Sequence, residues 1–208
     1  GIHVSDSLRF MEASLTIDAG DDAVHSDDEL YIESGTVLIN SCYEGFEAVT
    51  IDITGGDITM YPTDDGINAA GGNDESGTGG RDEMFGGGPG GHGGHGGMGG
   101  PGGMSAGNGS VTISDGTLYI RSSGDGIDAN GTLTITGGLT TVCGPKRGDT
   151  AVLDYDKTGV ISGGTFIGTG SQMMAQTLAS EAQGVISLSV GNRAAGTPIV
   201  LTSADGEV

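Results

Sequence analysis

The chain has 208 residues, a size typical of one domain, with 44 glycines and a formal net charge of −21. Its 28 acidic side chains face only seven lysines and arginines. The resulting field repels nucleic acid and anionic membrane surfaces and favours cations as partners. The charge therefore predicts no nucleic-acid partner, and because the sequence contains no apolar run of about 18 residues it also predicts no membrane span.

The first predicted elements are short strands that recur with a fixed period. The apolar residues Val24, Phe46 and Ile67 lie 22 and then 21 residues apart, and Ile127 keeps this step once a glycine-rich insert is removed. Such a period is typical of a solenoid, whose repeats bury their apolar faces against one another. Residues 1–4 match residues 23–26, so the chain begins inside a repeat and we expect further residues ahead of Gly1.

Two apolar pairs follow in each repeat, for example Leu30/Ile32 and Val37/Ile39, with a glycine turn at Gly35 between them. The alternation indicates half-buried strands, and glycine supplies the positive φ that a sharp corner needs. Three strands within 22 residues leave no room for helices. The sequence therefore predicts an all-β fold, a right-handed single-stranded parallel β-helix with about 22 residues and three short strands per coil.

Two regions depart from this period. Residues 71–107 include 19 glycines, which predicts a flexible insert, and its His92 and His95 alone are too few ligands for a strong metal site. Beyond residue 170 the period fades, although residues 185–190 and 199–201 still alternate like strands. We therefore predict a β-helix over residues 1–170 and a C-terminal β cap or extension, cut short, over residues 171–208.

The repeated acids indicate a metal function. Equivalent side chains of a parallel β-helix stack about 4.8 Å apart, and carboxylates at this spacing must share a proton or a cation. Calcium binds six to eight oxygen ligands in flexible geometry, whereas zinc prefers histidine and cysteine. We predict several Ca²⁺ ions, held by Asp22, Asp27, Glu44, Glu47, Asp64, Asp65, Asn68, Asp125, Asp128 and Asn130. The alternative is that each acid only caps backbone N–H groups at a corner.

Several segments carry a resemblance to a known family. They are Gly124–Gly131, Cys143-Gly144-Pro145, Ala151–Tyr155, Ile161–Phe166 and Met174-Ala175-Gln176, together with the glycine-rich insert after Asn68. The chain resembles the bacterial carbohydrate-binding domain family that has a polysaccharide-lyase-like β-helix. The resemblance implies a secreted or cell-surface protein that binds calcium and plant cell-wall polysaccharide, cellulose or pectin, without an established lyase activity. His25 and the pair Glu44/Glu47 depart from the family pattern and predict weaker calcium sites.

Three functions remain open at this point. The first is calcium-dependent, non-catalytic binding of pectate (polygalacturonate) or cellulose by a monomer. Pectate is a polyanion, so its binding to so acidic a protein needs bridging calcium, whereas cellulose needs an aromatic platform, for which Tyr31 and Tyr119 are candidates. The second is a calcium-dependent polysaccharide lyase with Lys146 as its base and Arg147 beside it. The third is a structural surface adhesin.

Overall fold

The computed structural model describes residues 1–69, 107–146, 150–194, 196–202 and 204–206. These residues form eighteen short strands and no helix, so no helix among them could cross a membrane. The strands are β1 (Ile2–Val4), β2 (Leu8–Phe10), β3 (Ala13–Asp18), β4 (Val24–Ser26), β5 (Glu29–Ile32), β6 (Gly35–Cys42), β7 (Phe46–Glu47), β8 (Thr50–Ile53), β9 (Asp57–Pro62), β10 (Ile67–Ala69), β11 (Gly109–Ile113), β12 (Thr117–Ile120), β13 (Ile127–Ala129), β14 (Gly131–Ile135), β15 (Leu139–Cys143), β16 (Leu153–Tyr155), β17 (Thr158–Ile161) and β18 (Thr165–Thr169).

Every third strand belongs to the same parallel sheet, which confirms the predicted parallel β-helix. Sheet 1 has the order β1-β4-β7-β10-β13-β16, sheet 2 runs from β2 to β17, and sheet 3 runs from β3 to β18. Each coil therefore contributes one strand to each of three six-stranded sheets. The glycine-rich insert, with His92 and His95, falls between β10 and β11 and lies, apart from Gly107, outside the described residues.

The core is the interior of the coil, filled by columns of stacked aliphatic side chains. The inward column of sheet 1 contains, in register, Ile2, Val24, Phe46, Ile67, Ile127 and Leu153. Phe46 is fully buried between its neighbours in this column. The predicted corner glycines, among them Gly35 and Gly116, have positive φ angles of 106° and 91°.

A second set of glycines is required by packing and not by φ. A Cβ built at Gly45 would lie 2.3 Å from the carbonyl oxygen of Gly66, and one at Gly66 would lie 2.4 Å from the carbonyl oxygen of Gly126. The Gly66 Cβ would also lie 2.4 Å from Ile120 Cγ2. Gly45 and Gly66 therefore let the backbones of successive coils approach closely.

Replacing Gly66 by alanine is expected to lower the free energy of unfolding by about 1–3 kcal/mol or more, because overpacking a filled core forces backbone shifts. Denaturant unfolding of the calcium-free protein measures this change. The matched control is Gly184→Ala, where a Cβ meets nothing within 4 Å, and its stability should change by no more than about 0.5 kcal/mol. Equal stabilities of the two variants would contradict the close packing of coils at this glycine.

The segment after β18 covers the last coil with few backbone bonds. Leu178 packs into the core, the Ala179 N–H donates to the Gly159 carbonyl, and the Ile161 N–H donates to the Ala179 carbonyl. Residues 185–190 and 199–201, for which alternation predicts strands, form none, and all their large apolar side chains except Val190 are exposed. A strand needs a hydrogen-bonded neighbour, and the described chain places none beside these residues. The boundary at residue 170 stays a prediction.

Candidate metal centre and groove

A column of polar side chains lies beside the inward column of sheet 1. In register it contains His3, His25, Glu47, Asn68, Asp128 and Asp154. The register confirms the predicted alignment of the four middle positions. The predicted second column, Asp22, Glu44, Asp65 and Asp125, is also in register. The backbone N–H groups of Ala23, Gly45 and Gly66 each donate to the backbone carbonyl of the corresponding acidic residue one coil further on.

The fourth and fifth coils bring three carboxylates together. Asp65, Asp125 and Asp128 each place an oxygen within 4.8 Å of the others. We call these three residues the acid cluster. Asp64 lies next to it, because a Cβ at Gly124 would meet carboxylate oxygens of both Asp64 and Asp65 at 2.4 and 2.3 Å. The spacing is short enough for one ion to contact all three members of the cluster.

The acids of the second column also cap the backbone. Asp22 Oδ1 accepts the Glu44 N–H at 3.2 Å, Asp65 Oδ1 accepts the Asp125 N–H at 2.5 Å, and Asp125 Oδ1 accepts the Ala151 N–H. The capping alternative and the metal alternative are therefore compatible, because each carboxylate has a second oxygen. Capping also fixes the orientation of the carboxylate that a cation would meet.

Electrostatics of the acid cluster favour a bound proton or cation. Burial, followed by the charges of Asp125 and Asp64, raises the pKa of Asp65 well above its ordinary value. Burial, followed by the charge of Asp125, raises the pKa of Asp128 to about 8. Both shifts have the same physical cause, which is that several carboxylates share a site with little water. A divalent cation bound among these carboxylates would offset the repulsion between them.

Two amide side chains border the acid cluster. Asn68 Nδ2 donates to Glu44 Oε2 at 2.9 Å, and its Oδ1 is buried and has no hydrogen-bond partner among the described residues. A buried amide oxygen that receives no hydrogen bond is suited to bind a cation, since calcium commonly binds amide oxygens. Asn130 Nδ2 donates to Asp128 Oδ2 at 3.4 Å. The donor set is entirely oxygen, which fits calcium.

The first coils differ, because His25 stands at the centre of their acids. Its Nδ1 lies 3.0 Å from Glu47 Oε2 and 3.7 Å from Asp22 Oδ2, and its Nε2 lies 3.2 Å from Asp27 Oδ1. Asp22, Glu44 and Glu47 are buried, whereas Asp27 is partly exposed. The ten predicted metal ligands therefore do not form one continuous site.

A groove lies on the outer side of the coil close to the acid cluster. It has a volume of about 460 Å³ and is lined by Arg121, Ser122, Ser123, Cys143, Gly144, Lys146 and Thr169. Arg121 and Cys143 directly follow Ile120 and Val142, which are paired in register, and Cys143 pairs with Thr169. The groove thus crosses three successive coils at one edge of sheet 3.

The chain runs from this groove directly into the acid cluster. Ser123 is separated from Asp125 by Gly124 alone, and the Ser122 hydroxyl donates to the Gly124 carbonyl at 3.2 Å. Further along the chain, the Ala151 N–H donates to the same Asp125 carboxylate. Lys146 is exposed, and Arg147 lies outside the described residues.

The tyrosines do not form one flat platform. Tyr31 lies on sheet 2, where its ring packs under the Arg9 guanidinium at 4.6 Å and its hydroxyl donates to Glu29. Tyr119 lies on sheet 3 beside Tyr61, with ring centroids 6.1 Å apart and planes inclined by 61°. The edge-to-face arrangement offers a ring surface next to Arg121 but not two coplanar rings.

Sequence reasoning missed two members of the polar column. His3 lies 22 residues before His25, so the period places it in the same column. The contact between His3 and Asp27 is visible only in the structure. Asp154 pairs with Asp128 and accepts a hydrogen bond from Gln176 Nε2 at 2.9 Å. The step from Ile127 to Leu153 is 26 residues, and this longer step concealed the equivalence.

A family model described as carbohydrate-binding domain-containing protein matches residues 1–148 of the chain. The match covers the first five coils and includes the acid cluster and most residues of the groove. No curated protein and no solved structure matches the chain.

Proposed function

We propose that this chain, which belongs to the carbohydrate-binding domain-containing protein family, binds pectate without cleaving it and requires calcium to do so. Family membership supports carbohydrate binding as the general function. The acidic polymer, the calcium requirement and the site are our proposal. Three features support it, namely the position of the groove, the charge of the chain and the shape of the aromatic surface.

The observation that carries the proposal is that a basic groove and the acid cluster meet at one corner of the coil. Arg121 and Lys146 line the groove, and the side formed by residues 121–123 continues through Gly124 to Asp125. Guanidinium and ammonium groups bind the carboxylates of uronic acids. A calcium ion held at the neighbouring cluster would bind a further sugar carboxylate through its open coordination positions.

The charge of the chain explains the calcium requirement. A protein with a net charge of −21 repels a polyanion at long range. Each calcium ion adds two positive charges at the place where the polymer would lie. Calcium bound at the acid cluster therefore weakens the local repulsion and offers open coordination positions to a sugar carboxylate.

The aromatic surface favours pectate over crystalline cellulose. A flat cellulose face stacks on coplanar rings, whereas Tyr61 and Tyr119 are inclined by 61° and Tyr31 lies on another sheet. One tyrosine ring beside Arg121 is sufficient to support a single sugar of a chain that is held by its carboxylates.

The same groove keeps a lyase as a second candidate. Lys146 is an exposed amine within it, and a lysine close to calcium is the chemistry that removes the proton beside a uronate carboxylate. The third candidate, a calcium-stiffened structural adhesin, needs no groove. Pectate is an extracellular polymer and a surface adhesin acts outside the cell, so each of these functions implies a secreted or surface-attached protein.

Retention of the purified chain on polygalacturonate and on cellulose, with calcium and with a chelator, tests the proposal. We expect retention on polygalacturonate in calcium that falls at least tenfold with chelator, and weak retention on cellulose under both conditions. Ultraviolet absorbance of unsaturated product would identify the lyase instead. Retention on neither polymer would favour the adhesin, and retention that survives the chelator would overturn the calcium requirement.

A further inference from the structure

We infer that the first two coils contain a metal site of a different class, in which His3, His25 and Asp27 bind a divalent transition ion such as Zn²⁺. This site is independent of the proposed function, since it shares no residue with the acid cluster or the groove. It accounts for the two positions of the polar column at which histidine replaces the acids and amides found further along the coil.

The ligand atoms already have the spacing that one ion requires. Asp27 Oδ1 lies 3.1 Å from His3 Nε2 and 3.2 Å from His25 Nε2, and all three atoms lie within 4.8 Å of one another. Neighbouring ligands of a tetrahedral zinc ion at about 2.0–2.1 Å are separated by about 3.3 Å. Small side-chain rotations would bring the three atoms to one ion.

The scaffold holds these side chains in place. His3 on β1 pairs directly with His25 on β4, and their imidazole rings stack with centroids 4.4 Å apart. Asp27 follows β4 immediately, and its N–H donates to the Val4 carbonyl at 3.0 Å. Ligands supplied by paired strands are positioned more rigidly than ligands on a loop.

The other ring nitrogen of His25, Nδ1, faces carboxylates that would hold the imidazole in place for metal binding. Its Nδ1 lies 3.0 Å from the buried carboxylate of Glu47, with Asp22 further away at 3.7 Å. A ligating histidine usually donates its other ring N–H to a carboxylate, which fixes the tautomer and makes the ligating nitrogen more basic. Glu47 is then a positioning residue, and His25 Nε2 is left to bind the ion.

The donor set and its exposure indicate the class of ion. Two imidazole nitrogens and one carboxylate suit zinc and neighbouring transition ions, whereas calcium prefers oxygen ligands. The side chains of His3 and Asp27 are 58% and 43% exposed, which leaves a path for the ion and room for water at the remaining position. His25, with a side chain only 7% exposed, anchors the site.

Titration of the calcium-loaded full chain with Co²⁺, followed by its visible absorption and by competition with Zn²⁺, tests the inference. We expect one ion per chain, the strong absorption of four-coordinate Co²⁺, displacement by Zn²⁺ and no displacement by excess Ca²⁺. His3→Ala should abolish the tight site without changing the thermal stability of the metal-free protein, because His3 is largely exposed.

Two further variants distinguish this site from Co²⁺ binding elsewhere on the chain. Glu47→Gln should keep the stoichiometry but weaken Co²⁺ binding by about 10–100-fold. The double variant His92→Gln/His95→Gln removes the two histidines of the insert and should leave binding unchanged. Absence of Co²⁺ binding, equal binding by His3→Ala, or loss of binding in the His92/His95 variant would each overturn the inference.

Discussion

Replacing Asp128 by asparagine is expected to stabilise the calcium-free protein at pH 8 and to remove most of the stabilisation that calcium provides. In the calcium-free protein Asp128 is half-buried next to Asp125, so the neutral amide relieves repulsion. A relief of about 1–2 kcal/mol raises Tm by roughly 2–8 °C in a domain of this size. The same change removes a calcium ligand, so the variant should gain little from calcium.

The pH dependence of this effect follows from the raised pKa of Asp128, which lies at about 8 in place of its ordinary value of 3.8. Between these values the folded protein holds a proton that the unfolded chain has released. The stability of the calcium-free protein therefore falls as pH rises from about 4 to 8 and then levels off. In Asp128→Asn this decline should be smaller, and the two proteins should differ least near pH 4.

Thermal unfolding at several pH values, with calcium and with chelator, measures both effects. The control is Asp57→Asn, an exposed carboxylate on β9 of sheet 3, which should change neither the calcium response nor its pH dependence. Repulsion within the acid cluster would be ruled out as the cause if Asp128→Asn were less stable than the parent at pH 8 without calcium. Equal stabilisation of variant and parent by calcium would rule out Asp128 as a ligand.

Replacing both Arg121 and Lys146 by alanine is expected to weaken retention on polygalacturonate by tenfold or more, while the calcium-induced rise in Tm stays unchanged. Charge-assisted hydrogen bonds contribute about 1.5–3 kcal/mol each when they are well formed, and less where they are exposed. Retention by the parent should also fall with added salt, since exposed charges are screened. Affinity electrophoresis in calcium measures retention.

The matched control for this groove variant is Lys157→Ala/Arg193→Ala. It removes the same two positive charges from exposed positions outside the groove. If the groove binds the polymer, this control should be retained nearly as well as the parent. Equal losses in the two double variants would show that overall charge, and not the groove, controls binding.

The coil could be predicted from the sequence because its period is visible in short-range patterns. The steps from Val24 to Phe46 and from Phe46 to Ile67 fix the register of sheet 1, and this register placed Asn68 beside Asp128 despite the long insert. The acid cluster could be anticipated for the same reason, since stacking in a parallel coil brings equivalent acids together.

The groove and the histidine site could not be predicted in the same way. The groove depends on Arg121, Cys143 and Thr169 from three coils, and the 26-residue step between the last two obscures the equivalence. The histidine site depends on Asp27, which lies outside the periodic column and turns toward His3 and His25. The apolar alternation near residue 188 gave a wrong strand prediction, because alternation describes the side chains and not the neighbour that a strand needs.

A crystal structure of the calcium-bound protein, with an anomalous difference map, would test calcium binding by the acid cluster at the level of single atoms. We expect a calcium ion that contacts Asp65, Asp125 and Asp128, with the side-chain amide oxygen Oδ1 of Asn68 in its coordination shell. A cluster that contains no ion at saturating calcium, with its carboxylates protonated and hydrogen-bonded to one another, would show that the stacked acids hold protons and not calcium.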